Sequence, residues 1–231
     1  MGRLGAVRPQ ILSLYRRWAM PLMLVLGLLL AYQQVKATQG LNFAKIALFV
    51  QQQFGDQAFR RTLAWQALIE QNREQPVEAQ LEAVNDFFNQ LQFSDDIKIW
   101  QQEDYWATPV EFIGRGAGDC EDFTIAKYYT LVALGVPSEK LRLMYVKAVR
   151  FNQHHMVLTY YQRRGSEPLV LDNIDPKIKK ARFRKDLLPI YSFNAEYLWL
   201  TKSRGIGKLV GSSDRLSLWK ELRQRQQEFS Q

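Results

Sequence analysis

The sequence contains very little cysteine and histidine. Cys120 is the single cysteine among 231 residues, and His154 and His155 are the only histidines. One thiol excludes an intrachain disulfide framework and a cysteine-rich zinc module. Two histidines argue against a zinc site built on three of them.

The chain also lacks the compositional bias of non-globular proteins. It is 47% hydrophobic and 23% charged, which is ordinary for a globular protein and excludes a disordered chain, a collagen-like repeat and a polytopic membrane protein. The net charge of +8 is concentrated at the N-terminus, since residues 1–37 hold five bases and no acid. The remaining 26 bases and 23 acids nearly balance, so we expect no nucleic-acid partner.

The N-terminal segment has the pattern of an export signal. An apolar run of 15 residues, Trp18–Tyr32, follows several arginines. It is shorter than the roughly 20 residues of a membrane-spanning helix. Val35–Ala37 fits the small-x-small pattern of a cleavage site before Thr38. Residues 1–37 are therefore interpreted as a cleaved signal peptide or an uncleaved anchor, and both interpretations place the domain outside the cytoplasm.

The rest of the chain divides into helices followed by strands. Apolar spacing predicts helices over residues 42–71 and 76–91, a loop over 103–118 and a helix from Cys120 to Leu134. Residues rich in β-branched and aromatic side chains predict strands over 141–149, 155–161, 169–171, 191–193 and 197–200. This order indicates an α+β domain, residues 38–201, with helices packed on an antiparallel sheet.

Two polar segments accompany this domain. Residues 177–185 (KIKKARFRK) are a basic run, which is either a solvated loop or edge or a docking surface for an acidic partner. Residues 202–231 are interpreted as a polar C-terminal appendage with an amphipathic helix over 216–229.

The segment from Gly116 to Asp122 (GAGDCED) is the best candidate for chemistry. It places Cys120 in the first turn of a predicted helix, whose N-terminus favours a thiolate. A nucleophilic thiolate needs a base and a group that orients the base. His155 opens one predicted strand and Asp172 closes another, so strand pairing could assemble a Cys-His-Asp triad.

The residue types alone leave other interpretations open. A lone cysteine at a helix start is often a small buried residue. His154 and His155 alternate across a strand, and spacing does not decide between them. Asp172 could be a turn residue, and Trp100 and Trp106 could line a cleft or pack in the core.

The motif GDCEDF, with HMVL and LDN after it, resembles the bacterial transglutaminase-like cysteine proteinases of the LapG family. The resemblance extends strongly from about Tyr105 to Trp199. It implies a papain-like, transglutaminase-like core in which Cys120 is the nucleophile, His155 the base and Asp172 its orienting partner. His155 is chosen because it precedes the Met-Val-Leu of the motif.

Three acids surround the predicted nucleophile. Asp119, Glu121 and Asp122 would raise the thiol pKa and repel one another, and a bound hard cation such as calcium would relieve both effects. The resemblance implies calcium dependence and places the ion at these acids. Alternatively, the acids only stabilise the helix N-terminus, or Asp122 caps the helix.

The resemblance also implies a biological role. It is that of a periplasmic, calcium-dependent endopeptidase that cuts a large surface adhesin near its N-terminus and so disperses a biofilm. An inner-membrane receptor for cyclic di-GMP would sequester the enzyme through the receptor's periplasmic domain. The alternatives are a transglutaminase or cell-wall peptide amidase with the same triad, or a non-catalytic binding module.

Overall fold

Helices precede the main sheet in the part of the chain that the structure describes. The computed structural model describes residues 41–200 and 207–229, so the predicted leader lies outside the described residues. Within these ranges, no helix is long and apolar enough to span a bilayer. The helices that precede the main sheet are α1 (Phe43–Phe54), α2 (Asp56–Asn72), α3 (Val77–Phe88), α4 (Asp96–Ile99), α5 (Pro109–Arg115) and α6 (Cys120–Ala133).

The helix predicted over residues 42–71 is two helices. Gly55 interrupts it with a φ of 81°, a left-handed conformation that favours glycine. Its N–H donates to the carbonyl of Gln51 and closes α1. The apolar spacing continues across the break, which is why the sequence pattern predicts one helix.

The prediction of a loop over residues 103–118 is wrong for residues 109–115, which form the helix α5. Thr108 caps this helix, since its hydroxyl accepts from the Glu111 N–H while the Glu111 carboxylate accepts from the Thr108 N–H. Pro109 occupies the first turn, where its missing N–H costs nothing. Gly116 ends the helix with a φ of 71°. Residues 103–118 contain three glycines: Gly114 lies within α5, Gly116 at its C-terminus and Gly118 in the short strand that follows.

Nine strands form two sheets in the described residues. The short strands β1 (Gln92–Phe93) and β2 (Ala117–Gly118) form a parallel pair. The main sheet is antiparallel throughout, with the order β6-β5-β4-β3-β7-β8-β9. Its strands are β3 (Leu141–Ala148), β4 (Gln153–Tyr160), β5 (Leu169–Leu171), β6 (Lys179–Lys180), β7 (Leu187–Phe193), β8 (Tyr197–Leu200) and β9 (Lys208–Ser212).

One hydrophobic core joins the helices to the main sheet, which confirms the α+β prediction. Alternate residues of β3 and β4, such as Leu143 and Met156, belong to the same buried cluster as Phe123 and Ile125 of α6. This packing places the N-terminus of α6 against β4, where the triad was predicted.

The C-terminal segment is part of this fold. The structure contradicts an appendage over residues 208–229, because β9 extends the sheet and helix α7 (Ser217–Gln227) packs into the core. Trp219 and Leu222 are fully buried there, and the Phe229 carbonyl accepts from the Asn42 N–H. The polar composition of the segment belongs to the outer side of α7.

Candidate active site

Cys120 is the first residue of α6. Asp119 caps the helix, with its carboxylate accepting from the Glu121 N–H at 3.2 Å. The Met156 backbone forms a hydrogen bond with the Cys120 thiol. Cys120 therefore lies against β4, at the residue that follows His155 in the chain.

His155 and Asp172 form a buried pair. His155 Nε2 lies 2.7 Å from Asp172 Oδ1, and the side chains are 4% and 0% exposed. The pair forms because Asp172 directly follows β5, the neighbour of β4 in the sheet. Asp172 is thus more than a turn residue, although it also accepts from the Ile174 N–H at 3.0 Å.

The structure distinguishes the two histidines. His154 is exposed and stacks on Tyr145, with ring centroids 5.2 Å apart. His155 uses Nε2 for Asp172, which leaves Nδ1 for another partner. Since an imidazole whose nitrogen is held by a carboxylate is an oriented base, the arrangement favours His155.

Arg184 completes the surroundings of Asp172 and was missed by sequence reasoning. Its Nη2 donates to Asp172 Oδ2 at 2.7 Å and to Asp186 Oδ2 at 2.8 Å. Burial alone would raise the pKa of Asp172, but the bonds from His155, Ile174 and Arg184 lower it to about 2. The basic run over 177–185 is therefore not solvated throughout, because Arg184 within it is 5% exposed.

A buried lysine supports the segment that follows Asp172. Lys127 of α6 is 1% exposed and donates to Asn85 Oδ1 at 2.9 Å and to Asn89 Oδ1 at 2.7 Å. These asparagines in turn donate to the carbonyls of Pro176 and Asp172. Burial lowers the pKa of Lys127 to about 7, although nearby Asp172 favours its charged form.

Three carboxylates converge beside Cys120. Ligand atoms of Asp96, Asp119 and Asp122 all lie within 4.8 Å of one another. Two of these acids each accept one backbone hydrogen bond. Asp96 accepts from the Tyr105 N–H at 2.6 Å, and Asp122 accepts from the Ala107 N–H at 2.8 Å. Asp96 Oδ1 and Asp122 Oδ2 are buried without a hydrogen-bond partner. Unpartnered buried carboxylate oxygens suit a hard cation.

The charges in this cluster oppose one another. Burial raises the pKa of Asp96 to about 6, and burial together with nearby Glu121 and Asp122 raises the pKa of Asp119 well above its usual range. Burial also raises the pKa of Asp122. The pKa of the Cys120 thiol is raised by its burial and then by Glu121 and Asp119. As predicted from the acids in the motif, the carboxylates next to Cys120 disfavour its thiolate.

The predicted ligand set was Asp119, Glu121 and Asp122. The cluster in the structure has Asp96 in place of Glu121. Glu121 is not among the three converging acids, because its Oε2 accepts from the Cys120 thiol at 2.8 Å. Asp96, which sequence reasoning missed, takes part from α4. No local signal marks Asp96, since only packing of α4 near β2 brings it to the motif.

Gly118 allows the acids to approach the chain closely. A Cβ at this position would overlap the Asp122 carboxylate and lie 2.8 Å from the Phe112 ring. Trp106 is buried and stacks on Phe193, so it packs in the core, whereas the half-buried Trp100 packs against Tyr105.

Comparison with known proteins agrees with this geometry. Residues 55–185 match the family model of the bacterial transglutaminase-like cysteine proteinases. LapG of Legionella pneumophila in an EGTA-treated form is 46% identical, with a TM-score of 0.72 over 81% of this chain and 98% of that chain. The calcium-bound form of the Legionella protein is 48% identical, with a TM-score of 0.69 over 80% and 98%. No curated protein gives a match.

The matched region contains α2 to α6 and the strands β3 to β6, and it therefore includes Cys120, His155 and Asp172. It covers more than half of the chain, and the solved relatives cover most of it. The chain therefore belongs to the bacterial transglutaminase-like cysteine proteinases and is a cysteine peptidase.

Proposed function

We propose that this peptidase is a calcium-dependent endopeptidase with Cys120, His155 and Asp172 as its catalytic triad. The observation that carries the proposal is the buried 2.7 Å contact between His155 and Asp172, one residue along β4 from the Met156 backbone that contacts the Cys120 thiol. An oriented base beside a cysteine at a helix N-terminus is the arrangement that acyl transfer to sulfur requires.

The reaction follows from the roles of these groups. His155 takes the thiol proton of Cys120 through Nδ1, and the thiolate attacks the carbonyl carbon of the scissile peptide. The backbone N–H of Cys120 donates to the developing oxyanion. The tetrahedral intermediate collapses as His155 protonates the leaving amine, which leaves a thioester. Water, deprotonated by His155, then hydrolyses the thioester and releases Cys120, while Asp172 holds the ring throughout.

Asp96, Asp119 and Asp122 would hold the calcium ion. The two unpartnered buried oxygens of Asp96 and Asp122 support this assignment, and a calcium-bound form of the related Legionella protein supports the choice of ion. Bound calcium supplies positive charge that offsets the acids around the thiol. Glu121, in contact with the thiol, is assigned to the electrostatics of the nucleophile and not to the ligand set.

The substrate, compartment and regulator are proposed from the family resemblance and the leader. The substrate is a large surface adhesin, cut near its N-terminus at a small-residue (Ala-Ala) site, so that cleavage releases the adhesin and disperses a biofilm. The basic, apolar segment over residues 1–37 supports export to the periplasm. There, the periplasmic domain of an inner-membrane cyclic di-GMP receptor would sequester the enzyme.

The test is cleavage of the N-terminal fragment of a candidate adhesin by residues 38–231, with calcium or with a chelator. We expect a single cut that requires calcium and is lost in Cys120→Ala and His155→Ala. His154→Ala is the matched control and should retain cleavage. Cleavage that survives chelation would refute the role of calcium. Amine incorporation or muropeptide cleavage without adhesin cleavage would favour the transglutaminase or amidase.

A further inference from the structure

The pairing of β4 with β5 ends before it reaches the triad. The last residues in register on this side are Leu158 and Leu171. His155 and Asp172 lie beyond them, so the ladder between the two strands does not itself fix the 2.7 Å contact between these side chains. Residues 172–178 then form an irregular loop before β6 begins. The position of Asp172 therefore depends on groups outside the ladder.

Two asparagines hold this loop against α3. Asn89, the C-terminal cap of α3, donates from Nδ2 to the Asp172 carbonyl at 2.9 Å. Asn85, in the last turn of α3, donates from Nδ2 to the Pro176 carbonyl at 2.7 Å. The first of these bonds acts on the residue whose carboxylate orients the catalytic histidine.

Lys127 determines which way each of these amides faces. An asparagine amide has an acceptor oxygen on one side and an NH2 donor on the other, whereas a lysine ammonium only donates. Lys127 Nζ donates to Asn85 Oδ1 at 2.9 Å and to Asn89 Oδ1 at 2.7 Å. Because both oxygens face the ammonium, both NH2 groups face the carbonyls of the loop. An amide turned the other way would place its oxygen against a carbonyl and its NH2 group against the ammonium.

The same helix carries Lys127 and the nucleophile. Lys127 lies about two turns along α6 from Cys120, and it is 1% exposed. Burial lowers the pKa of Lys127 to about 7, whereas Asp172 and Asp86 favour its charged form. Since a buried ammonium needs acceptors, the two asparagine oxygens also hold the lysine in place. One side chain thus connects the helix of Cys120 to the loop of Asp172.

We infer that Lys127 is a positioning residue for the triad. Through Asn89 it fixes the backbone of Asp172, and the carboxylate of Asp172 in turn holds His155. Arg184 binds the other oxygen of this carboxylate, so the backbone and the side chain of Asp172 have separate supports. The inference deepens the proposed function and rests on the triad assigned there.

The test measures the rate at which iodoacetamide alkylates the full chain in buffer with calcium, followed by the mass of the intact protein. Cys120 is the only cysteine, so a single thiol is measured. The reaction needs no peptide substrate, which separates this inference from the identity of the adhesin. His155→Ala is the reference, because it shows how much the base accelerates alkylation. Where the adhesin fragment is cleaved, kcat and KM are measured as well.

Three comparisons isolate the lysine. Lys127→Met removes the ammonium and keeps a side chain of similar length, and Asn89→Ala removes the bond to the Asp172 carbonyl. Thr130→Val is the matched control, since Thr130 is a buried polar residue of the same helix whose hydroxyl accepts from Trp65 Nε1 at 2.9 Å. Lys127→Met is also combined with Asp172→Asn and compared with Asp172→Asn alone. Thermal unfolding verifies that each variant is folded.

We expect alkylation and kcat to fall about 10- to 100-fold in Lys127→Met and Asn89→Ala, with KM changed less than about twofold and Thr130→Val unchanged. In the Asp172→Asn background, Lys127→Met should slow alkylation less than about twofold further, because the lysine acts through Asp172.

The inference is overturned if Lys127→Met is alkylated at the wild-type rate while His155→Ala is slow. It is also overturned if the full effect of Lys127→Met persists in the Asp172→Asn background. If Lys127→Met does not fold, Asn89→Ala, alone and combined with Asp172→Asn, decides by the same criteria. An unchanged rate in His155→Ala would refute the triad itself, and this inference with it.

Discussion

Arg184 is the buried cation that pairs with Asp172, and its replacement by Met tests how much this pair stabilises the protein. The ion pair between Arg184 and Asp172 has side chains 4% and 0% exposed. Removal of one partner from a buried pair costs about 3–5 kcal/mol. Asp172 would keep its bonds to His155 and Ile174, so we expect the lower end, about 3 kcal/mol.

The assay is urea unfolding of wild type, Arg184→Met and Asp186→Asn. Asp186 binds the same guanidinium, but its side chain is 47% exposed, so its replacement should cost under about 1 kcal/mol. In an activity assay, Arg184→Met should lower kcat about tenfold with a smaller change in KM. This is far less than the ~10⁴-fold cost of replacing an orienting aspartate.

The low pKa of Asp172, which the bond from His155 lowers most and the bonds from Ile174 and Arg184 lower further, predicts a pH effect. The pKa of Asp172 is lowered from 3.8 to about 2 in the folded protein. Its stabilising contribution, on the order of 2 kcal/mol, is therefore complete above the unfolded pKa and is lost as pH falls from about 4 to 2. Arg184→Met should move this loss to higher pH. If Arg184→Met lowers the free energy of unfolding by less than about 1 kcal/mol, as expected for Asp186→Asn, the buried pair does not stabilise the protein as proposed.

Three further predictions concern the acids and the buried lysine. Calcium at 100 times its Kd should stabilise the protein by about 2.7 kcal/mol, which corresponds to a rise in Tm of about 5–10 °C. Asp96→Asn should lose most of this rise. Asp95→Asn is the control, because Asp95 is exposed next to Asp96, and it should retain the rise. Gly118→Ala should lower the Tm by about 3–10 °C and abolish the rise in Tm with calcium, because the added Cβ would displace the Asp122 carboxylate. A calcium-induced rise in Tm equal to that of the wild type, measured by calorimetry, would contradict this. The pKa of Lys127 is lowered from 10.5 to about 7 in the folded protein, so between pH 7 and pH 10.5 the unfolded state binds the extra proton. The free energy of unfolding should therefore rise by up to about 1.4 kcal/mol per pH unit over this range. If urea unfolding of Lys127→Met shows a rise of equal slope, other groups cause it.

Local pattern was sufficient for several parts of this protein. The helix predicted from Cys120 to Leu134, with its stop before Gly135, is confirmed to within a residue, since α6 spans Cys120–Ala133. The order of helices before strands could be predicted from the spacing of apolar residues, because this spacing reflects which face of each element is buried. The motif around Cys120 located the candidate site because its residues are neighbours in the chain.

Other parts escaped prediction because local patterns were ambiguous or overridden. A capping box around Thr108 formed a helix where glycines suggested a loop. The polar composition of the C-terminal segment concealed Trp219 and Leu222, whose side chains are wholly buried in the core. A few buried side chains on one face are enough to dock a helix, even when charged and amide side chains cover the rest of its surface.

Local sequence points to Cys120 as the candidate nucleophile, to the element that carries it and to the acids next to it, because these residues are adjacent in the chain; the family resemblance assigns Cys120 its role. Long-range packing decides which distant groups join them. Asp96 reaches the acid cluster through α4, Arg184 turns a basic segment inward onto Asp172, and Glu121 places one carboxylate oxygen on the thiol. No periodicity marks these choices, because the direction of a side chain depends on contacts that exist only after the elements have packed together.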